Sequence, residues 1–169
     1  MTRGIFVAGA DSSASELNDC FAPPRCRVRN STATVSITTS GTAQVVLFDT
    51  EVYDVGGMHS TVTNTGRITV PAGGGGLYGI GGHVRFAANA TGMRELIIRI
   101  NGTTQIARSS TPNSGATDEA RVTIYTEYEL VAGDYVELQV VQTSGGALNY
   151  IGNADATPVF FARWLTVHT

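Results

Sequence analysis

The sequence contains no lysine, so all eleven of its strongly basic side chains are arginines. Charged residues make up 15% of the chain and the net charge is −3. This composition argues against nucleic acid as a partner, because phosphate binding needs clustered Lys and Arg. No segment approaches the roughly 20 consecutive apolar residues of a membrane-spanning helix. We therefore expect neither nucleic acid binding nor membrane insertion.

Cysteine is scarce as well, and the two cysteines, Cys20 and Cys26, belong to no metal-ligand spacing. They flank Pro23-Pro24, which would have to fold back to bring two sulfur atoms together. The N-terminal apolar run is too short and too interrupted by glycine for a signal peptide. We interpret both cysteines as free thiols in a protein made in a reducing compartment.

Glycine is abundant, with 20 residues, and Thr and Val are frequent, as in all-β proteins with many turns. The clearest strands flank Gly133-Asp134, a pair of typical turn residues. Residues 121–130 and 135–141 alternate between apolar and polar side chains, which indicates strands with one buried and one solvated face. The pattern predicts an antiparallel hairpin around this turn.

Similar short segments recur along the chain and predict about ten strands. The others lie at 26–30, 32–38, 43–49, 67–70, 77–88, 93–101, 103–108 and 158–167. Asn101-Gly102 is the strongest short-range hairpin signal. Polar or glycine-rich residues predict loops at 51–64, 109–117 and 145–157. Short strands separated by turns at regular intervals favour an all-β sandwich or jelly roll.

Residues 1–25 differ from this pattern. Ser13 and Glu16 have the spacing of a capping box, which predicts a short helix over 14–21 that ends before the proline pair. Such a short helix is not stable alone, so it must dock on its own domain or on a partner. We therefore divide the chain into an N-terminal anchoring arm, 1–25, and a head, 26–169. The candidate anchoring residues of the arm are Phe6, Leu17 and Phe21.

The residue types of catalysis and metal binding do not converge in the sequence. No histidine has a partner two or four residues away, so they predict no metal site. Asp54 and Asp118-Glu119 are calcium-ligand types, but solvated loop acids are the commoner interpretation. Glu127 and Glu129 stand two apart on one strand face, where a glycosidase could carry its pair of carboxylates. Charged residues on an exposed or subunit-facing strand are the commoner interpretation. We expect no catalytic residue, no metal, no cofactor and no enzymatic activity.

Three segments resemble the globular head of complement component 1q, a relative of the tumour necrosis factor jelly roll, in the same order and at about the same spacing. They are Gly76-Leu77-Tyr78-Gly79-Ile80, Gly133-Asp134-Tyr135-Val136-Glu137-Leu138-Gln139-Val140 and Phe161-Ala162-Arg163-Trp164-Leu165. The likeness covers about 26–165. Runs at 84–92 and 98–103 resemble versions of this head in bacteriophage virion proteins, and the lead-in before the proline pair resembles that of phage tail proteins. Ile80 and Gly82 stand where aromatic residues are usual, and a collagen repeat is absent.

The resemblance implies a ten-stranded jelly roll that assembles as a tight homotrimer and serves structure and recognition rather than chemistry. The expected function is that of a non-enzymatic phage virion protein, a trimeric tail appendage of the minor-tail or tail-fibre type that binds the host surface. A capsid decoration or head-fibre protein is the first alternative, and a stand-alone carbohydrate-binding lectin is the second. The expected location is the virion, assembled in the host cytoplasm. The expected partners are further copies of the chain, other virion proteins through the arm, and a host cell-surface glycan.

A trimer requires a subunit interface, and the strand 77–88 is the best candidate for it. One face of this strand carries core residues, whereas the other combines two glycines with His83 and Arg85. Glycines weaken a strand unless another backbone comes close, as it does near a three-fold axis. We expect Arg85 to pair with an acid such as Glu127 or Glu129. The predicted interface residues are Gly79, Gly81, His83, Arg85, Glu127, Phe161 and Trp164, with the core as the alternative position of Trp164.

Two tyrosines are candidates for receptor contact. Tyr53 and Tyr150 lie in predicted loops, where recognition residues are common, and sugars stack on exposed aromatic rings. Packing of both rings on the sandwich is the alternative interpretation.

Overall fold

The computed structural model describes residues 22–31, 34–113, 115–152 and 158–166. Within these ranges the chain forms strands in two antiparallel sheets and no helix. The predicted helix over 14–21 lies outside them, as do Phe6, Leu17, Cys20 and Phe21. No helix that is long and apolar enough to cross a membrane occurs in the part of the chain that the structure describes.

The strands of the described residues are divided between a seven-stranded and a five-stranded sheet. The seven-stranded sheet contains β1 (Arg25–Arg29), β2 (Val35–Ile37), β4 (Thr50–Val55), β6 (Gly76–Phe86), β9 (Ala120–Leu130), β11 (Leu148–Tyr150) and β12 (Val159–Thr166). The five-stranded sheet contains β3 (Gln44–Val45), β5 (Arg67–Thr69), β7 (Met93–Ile100), β8 (Thr104–Pro112) and β10 (Tyr135–Gln142).

β6 and β10 are the central strands of the two sheets. β6 pairs with β9 along its whole length and with β12 on its other edge, beyond which β1 and β4 follow. β10 pairs with β7 on one edge and with β3 and β5 on the other, and β8 lies beyond β7. Side chains at alternate positions of both central strands are fully buried between the sheets, as the alternation predicted. These are Tyr78, Ile80, Val84 and Phe86 on β6, and Val136, Leu138 and Val140 on β10.

The predicted hairpin around Gly133-Asp134 is wrong, although both strands and the turn exist. The amide of Asp134 donates to the carbonyl of Val131 over 3.1 Å, and Gly133 has a φ of +92°, as expected for a turn. However, β9 pairs with β6 and β10 pairs with β7, so the turn carries the chain from one sheet to the other. Alternation shows which face of a strand is buried, but it does not show which strand lies beside it.

The hairpin at Asn101-Gly102 is confirmed. Both residues have positive φ angles, 52° and 72°, and the flanking strands β7 and β8 pair directly. The chemistry of this turn is local, because Asn and Gly tolerate the left-handed backbone conformation that the turn requires. A signal of this kind is therefore visible in the sequence.

Three predicted loops contain strand residues. β4 occupies the start of the 51–64 loop, β8 continues to Pro112 within the 109–117 loop, and β11 lies within the 145–157 loop. The described residues form twelve strands, against about ten that were predicted. β4 and β8 lie at sheet edges, and their many exposed polar side chains hide the apolar alternation by which a strand is recognised.

Candidate functional site

Most of the predicted interface residues lie together on the outer face of the seven-stranded sheet. We call this surface the interface face and define it by the outward side chains of β6, β9, β12 and β1. They are Gly79, Gly81, His83 and Arg85 on β6, Arg121, Thr123, Tyr125, Glu127 and Glu129 on β9, Phe161 and Arg163 on β12, and Arg25, Arg27 and Arg29 on β1. The register places Phe161 and Tyr125 on either side of Gly81, and Arg163 and Glu127 on either side of Gly79.

The two glycines of β6 make room for aromatic rings of the same chain. A Cβ atom at Gly81 would lie 2.9 Å from Cζ of Phe161 and 2.9 Å from the carbonyl oxygen of Ile124. A Cβ atom at Gly79 would lie 2.9 Å from the hydroxyl of Tyr125. All three distances are shorter than real Cβ contacts, so larger residues at these positions would displace the rings. The space above the glycines is thus filled within the chain, and no approach of a partner's backbone is needed to explain them.

Tyr125 is the most prominent aromatic residue of the interface face. Its side chain is 54% exposed, and its hydroxyl donates to Oε1 of Glu127 over 3.0 Å. This hydrogen bond, with a smaller effect of burial, raises the pKa of Tyr125 above its usual value. The ring is therefore held in one position while much of it remains open to contact.

Arg85 forms an ion pair within the chain, but its acidic partner is not one of the two that were predicted. Its Nη1 lies 3.2 Å from Oε2 of Glu119, the residue just before β9, and not beside Glu127 or Glu129. The Arg85 side chain is 17% exposed, so the ion pair is partly shielded from water. His83 is half-buried and lies between Val159 and Thr123 in the register. Arg85 and His83 thus belong to the interface face, but the pairing of Arg85 with Glu127 is not formed inside one chain.

β1 adds a row of arginines that was not among the predicted interface residues. Cys26 and Val28 are fully buried, so Arg25, Arg27 and Arg29 point to the outer face. Burial, and to a smaller extent the nearby acids of β4, raises the pKa of the Cys26 thiol, which makes it an unreactive core residue. The alternation of Arg with apolar residues in the sequence 25–29 was a sufficient signal for this row.

Trp164 does not lie with Phe161. It faces Tyr78 in the register and occupies the inner side of β12, where it packs against the core. Its indole Nε1 donates to the carbonyl of Gly75 over 3.4 Å. Successive residues of a strand point to opposite faces. Phe161 and Trp164 are an odd number of positions apart, so they lie on opposite faces of β12, and predicting them together was wrong.

The two candidate receptor tyrosines have different positions. Tyr53 lies on β4 rather than in a loop, is 40% exposed and stands opposite Arg27 at the border of the interface face. Tyr150 lies on β11 and is completely buried, and burial raises its pKa to about 12. Packing within the sandwich is therefore the correct interpretation for Tyr150, and it is not available to a receptor.

Comparisons with known proteins bear on the fold. No family model matches the chain, and no curated protein matches it in sequence. Among solved structures, the globular domain of zebrafish complement 1qA protein is 17% identical with a TM-score of 0.59, and the match covers 86% of this chain and 99% of that one. Murine APRIL is 11% identical with a TM-score of 0.61 and coverages of 83% and 98%. Eiger TNF from S. frugiperda is 12% identical with a TM-score of 0.60 and coverages of 87% and 96%. The chain therefore has the jelly-roll fold of complement 1q and TNF domains.

Proposed function

We propose that this chain is a non-enzymatic bacteriophage virion protein whose head assembles as a homotrimer through the interface face and binds the host surface as a tail appendage. The interface face is the observation that carries the trimer. It exposes the ring of Tyr125 beside Phe161 and a row of arginines. Aromatic residues and arginine are the residue types enriched in protein interfaces and in their energetically dominant positions. A second copy of the chain is the expected occupant.

The charge distribution on this face supports a ring of identical subunits. β1 and β12 together carry Arg27 and Arg163, whose side chains are exposed and make no hydrogen bond or ion pair with the residues that the structure describes. Glu127 and Glu129 lie on β9, on the other side of β6. A head-to-tail contact would place the acidic strand of one subunit against the basic strands of the next. Repeating this contact around a three-fold axis closes the ring and pairs opposite charges at every interface.

The virion context is supported by the sequence rather than by the fold. The runs at 84–92 and 98–103 resemble phage virion proteins, and residues 1–25 have the pattern of a short docking segment before a head. The head has the jelly-roll fold that the resemblance implies. A non-enzymatic role agrees with the interface face, whose acids and arginines lie exposed on a sheet surface rather than in a cleft.

Sedimentation of purified protein tests the trimer. The full chain is expected to run at three times its mass of 17.7 kDa. Tyr125→Ser should dissociate this particle, because it removes the exposed ring from the interface face. Leu47→Ser is the matched control, because Leu47 is also 54% exposed but lies outside this face. A monomeric native chain, or a Tyr125→Ser variant that remains as trimeric as Leu47→Ser, would refute the proposed interface.

Labelling the protein in purified phage particles tests the virion context. A label at the tail supports the tail appendage, a label on the capsid supports a decoration or head-fibre protein, and no association with particles supports a free lectin. A chain that begins at residue 22 should remain folded but fail to join particles. The starting point is 22 because the carbonyl of Pro24 accepts a hydrogen bond of 3.0 Å from the amide of Trp164, which ties this residue to the head.

A further inference from the structure

A polar cleft of about 350 Å³ lies on the other sheet, at its outer face. The outward side chains of β5 and β10 form one wall and the segment 57–64 forms the other. Its polar lining includes Arg67, Thr69 and Tyr135 on the sheet side and Ser60, Thr63 and Asn64 on the loop side. The volume falls at the lower end of the range for small-molecule sites. Because the cleft is on the five-stranded sheet, it stays open when the interface face is covered.

The loop that forms the cleft is held in one conformation by buried groups. Asp54 accepts hydrogen bonds from the amides of Met58 and His59, over 2.9 and 3.0 Å. The His59 side chain is fully buried, with Nδ1 3.0 Å from Oε1 of Glu51 and Nε2 3.1 Å from the carbonyl of Thr65. The loop is also tied to β5, because the amide of Thr69 donates to the carbonyl of Met58 over 2.7 Å. A wall that is already ordered loses little conformational entropy when a ligand binds.

Among the described residues, Arg67 is the one arginine that lines this cleft. Its guanidinium group is fixed at two points. Its carbon Cζ lies 4.0 Å from the centroid of the Tyr135 ring, and its Nε donates to Oε1 of Glu137 over 3.0 Å. Glu137 is 8% exposed, so this contact is shielded from water. The two terminal Nη groups make no hydrogen bond with the described residues, and the side chain is 36% exposed. A guanidinium group held in this way presents two parallel donors to an incoming carboxylate.

Neutral polar groups surround these donors. The Asn64 amide and the Thr69 hydroxyl have no side-chain hydrogen bond with the residues that the structure describes. Ser60 and Thr63 add two further hydroxyls, whose oxygens lie 3.4 Å apart. Met58 lines the cleft but is almost completely buried, so this side chain itself offers little apolar surface to a ligand. Several free hydroxyl and amide groups around one bidentate cation match a ligand that carries many hydroxyls and one carboxylate.

We propose that this cleft binds an acidic sugar residue of a surface polysaccharide, with the sugar carboxylate on Arg67 and the sugar hydroxyls on Asn64 and Thr69. The proposal gives a ligand class to the host-surface binding proposed above and therefore rests on that part of it. It does not depend on the trimer. Glycan recognition then lies on the opposite side of the sandwich from the subunit contact.

Calorimetric titration of the full chain with acidic sugars tests the proposal. The probes are oligosaccharides of glucuronate, galacturonate and mannuronate, together with N-acetylneuraminate. The same oligosaccharides with each carboxylate reduced to an alcohol serve as neutral probes, and inorganic phosphate serves as the sugar-free anion. We expect binding of at least one acidic sugar, and no binding of its reduced form.

Variants assign the binding to the cleft. Arg67→Lys keeps the charge but loses the paired donors, so affinity should fall by about tenfold. Thr69→Val removes one hydroxyl of the cleft and should weaken binding by roughly threefold. Arg108→Lys is the matched control, because Arg108 pairs with the buried Glu95 on the same sheet just as Arg67 pairs with Glu137. This control should bind like the native chain.

Three outcomes would overturn the proposal. These are failure to bind any of the acidic sugars, equal binding of acidic and reduced oligosaccharides, and binding that Arg67→Lys leaves unchanged. Phosphate that displaces the sugar and binds as tightly as it does would show a general anion site instead. Labelling of the protein in purified particles tests the virion context separately, so a failed glycan site is distinguishable from a failed tail appendage.

Discussion

The outer faces of the two sheets differ in how far their charged side chains are paired within the chain. On the five-stranded sheet, Glu95 is 6% exposed and lies 2.6 Å from Arg108, and Glu137 is 8% exposed and lies 3.0 Å from Arg67. Each buried acid on this face thus has an arginine of the same chain. On the interface face, Arg27 and Arg163 are exposed and make no such contact with the described residues.

This difference indicates which face needs a partner. Removing an arginine from a buried acid is costly, because the acid has already lost its hydration on burial and then also loses its counter-ion. A face whose buried acids are already paired within the chain needs no second copy to neutralise them. Such a face remains open to ligands, and the cleft beside Arg67 lies on it. A face with exposed rings and exposed, uncompensated arginines gains from contact with a complementary surface. Variants on the two faces should consequently separate effects on folding from effects on assembly.

The largest effect is expected from Gly81→Leu. The added side chain would meet Phe161 and the backbone carbonyl of Ile124, and backbone cannot move aside cheaply. We expect the free energy of unfolding of the chain itself to fall by about 3 kcal/mol or more. Thermal unfolding measures this change. Retention of the native melting temperature with loss of the trimer alone would instead show that Gly81 faces only a partner.

Gly146→Leu is the control for this prediction. A Cβ atom at Gly146 meets nothing within 4 Å, and the residue does not have a positive φ. Gly115 is also open, but its φ of +99° would strain any larger residue and confuse the comparison. Gly146→Leu should melt with the native chain.

An intermediate effect is expected when one arginine is truncated on each face. Arg108→Ala leaves Glu95 buried without its counter-ion and should lower the free energy of unfolding by roughly 1–3 kcal/mol. Arg163→Ala should change the stability of the separated subunit by less than about 0.5 kcal/mol but weaken the trimer. Urea unfolding at several protein concentrations separates the stability of the subunit from that of the trimer, because only assembly depends on concentration. The reverse pattern would contradict the comparison of the two faces.

The last effect is confined to alkaline pH, is absent near neutral pH, and concerns a buried and an exposed tyrosine. Burial raises the pKa of Tyr150 to about 12 from the usual value near 10. A raised pKa in the folded state means that the stabilisation is fully present below the unfolded pKa and is lost as the pH rises through the folded one. The native chain should therefore lose on the order of 2 kcal/mol through this group between about pH 10 and 12.

Tyr150→Phe should remove this part of the alkaline destabilisation, whereas Tyr125→Phe should leave most of it, because the Tyr125 ring is 54% exposed. Unfolding measured near neutral pH and again above pH 10 tests the pair. Identical pH profiles for the native chain and Tyr150→Phe would mean that this hydroxyl does not titrate with unfolding.

The sequence by itself determined what depends on near neighbours. Alternation placed Tyr78, Ile80 and Phe86 in the core, because the side chains of a strand point to opposite faces with a period of two. The turn at Asn101-Gly102 was predictable because its backbone angles depend on those two residues alone. The resemblance to the complement 1q head implied the jelly roll that the structure has.

Only the tertiary structure decided how these elements meet. β9 and β10 follow each other across a tight turn yet belong to different sheets, because strand pairing is chosen among all strands of the chain. Tyr150 became a core residue through its position opposite Phe86, although the glycines and polar residues of 145–157 predicted a loop. Arg67, Tyr135 and the segment 57–64 formed a cleft because β5 pairs with β10, which lies some 70 residues further along the chain. Contacts of this range depend on the packing of the whole sandwich, and no local pattern encodes them.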